Sequence, residues 1–275
     1  MPRGVSLYDE AQLQGRLWHP LLDPIRPVAL WDPLLESSFS FDSTGIITWT
    51  DRVSGIVATS PSGSRPTYSR TARNGARGVL FNGSQYLAFT PPSSFPSGIQ
   101  LGAVVLSGYL RTTTGTGRWA FVYGAGNSNA GLARYITHSD QFTAQGLGYV
   151  VAGTSGSGSN LTTAEMWTGQ DRFVISQYGP GQSLVANVDG LGTESATLSP
   201  TTNTGLVAGR IGGWAYYGNP WDGAIHSILV YPPAITLPPL LTAKLAGWDS
   251  WTTGKNGRNL PAFSLFRNRP PLIGD

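Results

Sequence analysis

At 275 residues, with 40% apolar side chains, only 12% charged ones and a net charge of +3, the chain has enough apolar material for a sizeable core and too little charge for a disordered polypeptide. Its 36 glycines and 20 prolines mark a turn-rich, strand-rich molecule, and one all-β unit of about 200–250 residues accommodates most of it. Cysteine is absent, which removes disulfides and thiolate metal sites and leaves packing to carry stability.

No run of about 18 apolar residues occurs, and Met1-Pro2-Arg3-Gly4 lacks an apolar signal region, so synthesis in the cytoplasm without export or membrane insertion is expected. Of the 18 basic residues two are lysines, Lys244 and Lys255, leaving 16 arginines. Arginine is weakly hydrated and forks onto carboxylates and carbonyls, which suits protein contacts. An excess of three charges and no basic helix argue against nucleic acid as a partner.

Residues 1–28 read as an N-terminal arm. Ser6 and Asp9 resemble a capping box, and Leu7, Ala11, Gln14 and Trp18 would share one side of a short helix. Pro20, Pro24 and Pro27 then favour an extended path. Such an arm is too short to fold alone, so it packs either on the body of the protein or on another chain.

Residues 29–249 carry the punctuation of strands. Trp49-Thr50-Asp51-Arg52-Val53-Ser54-Gly55 reads as a strand ending in a tight turn, and Arg65-Pro66-Thr67-Tyr68 as a sheet edge. Gly78 to Phe81 breaks at Asn82-Gly83 and resumes at Tyr86, a hairpin-type signal. Further strands are expected over 46–51, 86–90, 103–111, 118–123, 130–138, 141–150, 172–178, 183–188, 195–199, 204–211 and 223–230, with 112–117 a polar tip and 153–160 a loop. Turn clusters at short spacing suit an antiparallel sandwich and not alternating helices. After Pro232-Pro233, Leu237, Leu240, Leu241, Leu245 and Trp248 recur at helical spacing, with Gly247 near the C-cap. Residues 250–275 read as an extended tail with Phe263, Leu265 and Phe266 as apolar anchors.

The order of these words resembles the concanavalin A-like, laminin-G-like jelly-roll domains of phage virion proteins. Carriers of the likeness are Leu13 to Trp18 with Pro27-Val28-Ala29-Leu30-Trp31-Asp32, the 49–87 words, Asp189-Gly190 within 183–197, Trp221 to Tyr231, and the exit from Gly254-Lys255-Asn256-Gly257 through Leu260-Pro261 to Asn268-Arg269-Pro270-Pro271. The resemblance implies an all-β, antiparallel two-sheet jelly-roll sandwich with one C-terminal helix. It further implies a virion location, as a tail, fibre or head spike component. Other virion proteins would be met through Leu13, Arg16 and Trp18 on the arm and Phe263, Phe266, Arg267 and Arg269 on the tail. A homo-oligomer is compatible with this, although no coiled-coil heptads specify one.

Chemistry is sparse. Glycoside hydrolases need two carboxylates at a set separation across the sugar, and Glu165, Asp171, Asp189 and Glu194 offer no such pair on one strand. His19, His138 and His226 stand apart in the sequence, and His226 reads as a structural or surface residue of the closing strand. No nucleophile elbow or phosphate loop is present, Gly124-Ala125-Gly126 reading as a turn. A non-enzymatic protein is therefore expected, with a polysaccharide depolymerase disfavoured. No cofactor is expected; calcium would need six or more oxygens, and Asp140 and Asp222 read as turn acids and not a ligand cluster.

The strongest binding candidate is Gly212-Gly213-Trp214-Ala215-Tyr216-Tyr217-Gly218-Asn219-Pro220-Trp221. Aromatic plates engage the C–H faces of sugars and an amide engages their hydroxyls, so Trp214, Tyr216, Tyr217 and Asn219 are the expected carbohydrate contacts, with a host-surface polysaccharide as ligand. Two alternatives stay open: packing alone, with Trp221 and one tyrosine in the core, and an assembly or decoration protein without carbohydrate affinity. Arg65, Arg70, Arg73 and Arg77, with no acid among them, read as a solvated loop or as a contact for an acidic partner or anionic glycan.

Overall fold

The computed structural model describes residues 18–98, 100–111, 118–124, 133–139, 149–154, 160–161, 170–178, 183–188, 192–197, 205–213 and 220–254. They form two antiparallel sheets packed face to face. Across sheet A the order is β15 (Gly192–Thr197), β14 (Ser183–Val188), β13 (Asp171–Tyr178), β8 (Gly102–Leu110), β17 (Asp222–Val230), β6 (Ala76–Asn82) and β5 (Thr67–Arg73), with β1 (Ala29–Trp31) also paired to β17. Across sheet B it is β12 (Asn160–Leu161), β11 (Tyr149–Thr154), β10 (Ala133–Ser139), β9 (Arg118–Gly124), β16 (Ala208–Ile211), β7 (Leu87–Phe89), β4 (Val57–Thr59), β3 (Gly45–Thr50) and β2 (Phe39–Asp42). The expected two-sheet sandwich is therefore present.

Period-two alternation builds the core between the sheets. Val104, Leu106 and Leu110 of β8 face Phe121 and Tyr123 of β9, Leu87 and Phe89 of β7, and Trp49 of β3. Trp31 packs its ring 5.0 Å from Phe89 and 6.1 Å from Phe121, while Phe39 stacks on Trp49 at 5.3 Å. Each such side chain contributes about 1.5–3 kcal/mol by leaving water. Burial pushes the Tyr123 hydroxyl up to about 12, and this O–H donates to the Pro96 carbonyl.

Sheet A is covered on its other face as well. The helix α1 (Pro239–Thr253) lays Leu241, Leu245 and Trp248 on Ala103, Val105, Phe173, Ile175 and Leu229. Leu240 of the same spacing points to solvent, and Gly247 lies inside the helix; the C-cap is Gly254, at φ +67°. The helix runs beyond residue 249, where the sequence places the end of the sandwich. Trp18, Leu21 and Ile25 pack against the same cluster, and Lys244 Nζ reaches Asp23 Oδ2 at 2.9 Å. Burial alone would raise the Asp23 carboxyl, but the Lys244 ammonium and the Ile25 N–H hold it below its ordinary value. The described part of the arm thus packs on the protein's own body.

Several local expectations need correction. Asn82-Gly83 does not close a hairpin: β6 belongs to sheet A and β7 to sheet B, so the chain uses this turn to cross between layers. The hairpin is at Asn74-Gly75, φ +48° and +73°, joining β5 to β6 with Arg73 opposite Ala76. Positive φ at both positions matches the twist of paired strands. Strands β2, β4 and β12 carry no strand word in the sequence, and β5 extends well past the edge word at 65–68. Gly153 and Thr154 belong to β11, and Asn160 opens β12, where a loop was expected. Among the described residues of the strand expected over 204–211, Ala208–Ile211 form the paired strand.

Candidate functional site

The four expected carbohydrate contacts, Trp214, Tyr216, Tyr217 and Asn219, lie outside the described residues, but both ends of their segment are fixed. The Gly212 N–H donates to the Ala120 carbonyl at 2.8 Å, and the Trp221 N–H donates to the Gly212 carbonyl at 2.8 Å. Trp119 bridges to Pro220, whose carbonyl accepts from Arg118 Nη1 at 3.3 Å. The two flanks of residues 214–219 therefore lie together beside β9. Gly212 has φ +79°, and a Cβ there would stand 2.2 Å from the Phe81 ring, so only glycine admits this close approach. Trp221 itself belongs to the core, with Nε1 donating to the carbonyls of Tyr109 and Ala224.

This base adjoins the outer face of sheet B. Since Leu87, Phe89 and Ile211 point into the core, alternation turns Tyr86, Ala88 and Arg210 outward. Register then aligns Ala88 with Arg210, Arg210 with Val122, and Val122 with Tyr135. The Arg210 guanidinium lies 4.0 Å from the centre of the Tyr86 ring, and Trp119 meets Tyr135 edge-on at 5.0 Å. Gly213 abuts Tyr86, a Cβ there being 3.1 Å from the Tyr86 Cβ. Tyr86 and Arg210 were not singled out from sequence; the alternation Tyr86-Leu87-Ala88-Phe89 is the signal that places Tyr86 on this face.

The arginine cluster is not the open patch that its sequence suggested, because distant acids fold onto it. Arg65 pairs with Asp42, Arg70 forks onto Glu36 at 2.7 Å through Nε and Nη2, and Arg77 Nη1 donates to the Leu34 carbonyl at 2.6 Å. The Arg70 contact holds the Glu36 carboxyl below its usual range. Arg73 Nε binds Asp171 Oδ2 at 2.8 Å while its guanidinium covers the Tyr109 ring at 3.9 Å.

Asp171 also receives His226. A bulge in β17 opposite Ser107 inserts one extra residue, and bulges re-aim side chains in this way. His226 Nε2 reaches Asp171 Oδ1 at 3.0 Å, His226 Nδ1 the Arg77 carbonyl at 2.9 Å, and Asn74 Nδ2 donates to Asp171 Oδ2 at 3.0 Å. The two side chains are 2% and 4% exposed, so the pair is structural, as expected for His226. Asp222 meets Arg111 at 3.2 Å. The His138 side chain and Glu165, Asp189 and Asp140 lie outside the described residues, as do the assembly candidates Leu13, Arg16, Phe263, Phe266, Arg267 and Arg269. Trp18 is half-buried, with Lys244 Nζ 5.6 Å from its ring. His19 is buried edge-on to Trp248 at 5.7 Å; its Nδ1 accepts from the Leu21 N–H, and burial lowers its proton affinity.

No family model matches the sequence, and no curated protein matches it. Solved structures do. The fold is similar to domain 4 of a GH43 extracellular arabinanase from Geobacillus stearothermophilus, solved in complex with arabinotriose, at 19% identity and a TM-score of 0.55, covering 80% of this chain and 98% of that one. It is also similar to the sialidase of Trypanosoma rangeli, at 15% identity and a TM-score of 0.51 over 84% of this chain but only 33% of that one. At these identities the likeness establishes the two-sheet antiparallel sandwich.

Proposed function

We propose that the chain is a non-catalytic, glycan-binding sandwich that serves as a structural component of a phage-like particle. The observation that carries the binding half is the stitched base at Gly212 and Trp221 beside Tyr86, between whose two ends the sequence holds Trp214, Tyr216 and Tyr217. Aromatic residues in a short segment held between glycines suit the apolar faces of sugars. The likeness to an arabinanase domain solved with arabinotriose supports a sandwich of this shape as a carrier of such a surface. Burial of the Asp171–His226 pair, which leaves it no approach for a substrate, supports a non-catalytic reading. The particle role rests on the order of sequence words shared with virion jelly rolls.

A glycan array with the purified protein tests the binding half. Wild type should retain host-surface oligosaccharides, and a Trp214→Ala, Tyr216→Ala double variant should lose them; undiminished retention removes the segment from the site, and release of reducing sugar would overturn the non-catalytic reading. For the particle half, deleting residues 1–17 or 255–275 should reduce incorporation into particles while leaving the melting temperature of the sandwich unchanged.

A further inference from the structure

The basic side chains of the described body are mostly used within it. Arg52, Arg65, Arg70, Arg73 and Arg111 each meet an acid of the chain, and Arg77, Arg118 and Arg134 end on backbone carbonyls. Arg210 differs. Among the described residues its guanidinium meets neither a carboxylate nor a carbonyl, and its contact is the face of Tyr86 at 4.0 Å. Stacking a guanidinium on a ring leaves its N–H edge free to fork onto an acceptor, and immobilises the side chain before any ligand arrives. On the open side of its row Thr59 and Ala88 bring no carboxylate to compete for that fork, while Val122 and Tyr135 on the other side are buried.

We infer that Arg210, held flat by Tyr86, makes this face selective for sugars carrying a carboxylate. The inference rests on the glycan-binding reading above and specifies its ligand class. It also relocates the anionic preference that the Arg65–Arg77 cluster suggested, since that cluster is occupied by Asp42, Glu36 and Asp171 while Arg210 is not. A carboxylate accepting two N–H bonds from the fork gains both energy and orientation. A neutral sugar on the same face would leave the guanidinium in water and gain nothing from it.

An array of oligosaccharides ending in glucuronic acid, each printed beside its glucose-ended counterpart, tests this. Wild type should retain the acidic member of responsive pairs roughly 10- to 100-fold more tightly, the scale of hydrogen bonds to a charged group, with the preference shrinking as salt rises. Arg210→Gln should abolish the preference, and Arg210→Lys, which keeps charge without the fork, should keep only part of it. Melting curves confirm that both variants fold. Equal retention of the two members by wild type, or an undiminished preference in Arg210→Gln, overturns the acid selectivity alone; no retention of any member by wild type overturns the glycan-binding reading and the selectivity with it.

Discussion

His226 and Asp171, 55 residues apart in the chain, meet at 3.0 Å between Nε2 and Oδ1 under the β5–β6 hairpin, with Arg73 and Asn74 closing the other carboxylate oxygen. Asp171→Ala leaves His226 and Asn74 without their acceptor and Arg73 without its ion-pair partner. The expected loss of stability is about 3–5 kcal/mol, the range for a broken buried pair. Urea unfolding of Asp171→Ala, His226→Ala and the double variant measures it. The double variant should lose less than the sum of the singles, because the second change removes a partner already orphaned.

Gly212→Ala should destabilise the protein by more than about 1–3 kcal/mol, since it combines a left-handed backbone with overpacking against the Phe81 ring. Because Gly212 also anchors the base of residues 214–219, retention on the glycan array should fall under conditions where the variant remains folded. Gly63→Ala, also at positive φ but with open space around it, should cost less and leave retention unchanged.

Acid should weaken the fold through His19. Burial chiefly depresses its folded affinity for a proton, against the opposing pull of Asp32, so the folded protein holds it neutral below its ordinary value of 6.5. The unfolded chain takes up that proton first. Stability from this residue is therefore complete above about 6.5 and declines as pH falls below it. Thermal melts between pH 7 and 5 should show wild type losing more than His19→Asn, whose amide oxygen can still accept from the Leu21 N–H.

Arg73→Ala should cost about 1–3 kcal/mol through its lost ion pair with the buried Asp171 and its lost cover over the Tyr109 ring, yet leave glycan retention intact. Arg70→Ala should change the melting temperature little, because its pair with Glu36 is open to solvent. A fall in retention for either variant would return the 65–77 arginines to the binding surface.

Alternation and turn chemistry made most strands legible, β14 to the residue and β8, β13 and β17 within one, because their apolar faces must point into a shared core. Which sheet a strand joins is a tertiary choice that local words do not encode. Asn82-Gly83 and Asn74-Gly75 look equivalent as dipeptides, yet one links layers and the other closes a hairpin. The difference lies in whether Tyr68 or Leu87 lies opposite β6. Short strands such as Phe39–Asp42 escaped notice because two apolar residues in four do not establish a period. At the site, the aromatic run from Trp214 was visible from composition. Arg210 was not, since its significance comes from the lack of an acid partner for it among the described residues. The arginine cluster misled for the converse reason: Asp42, Glu36 and Asp171 reach it from elsewhere in the chain.

Lys244 and Asp23, 221 residues apart, clasp the two outermost described segments onto one side of sheet A, with His19 against Trp248 beside them. The chain therefore enters and leaves the sandwich on its helical side. Whatever holds the protein by either lead would take hold there. The opposite broad face, with Tyr86 and Arg210, would then be turned outward without any hinge or rearrangement, giving the molecule a built-in front and back.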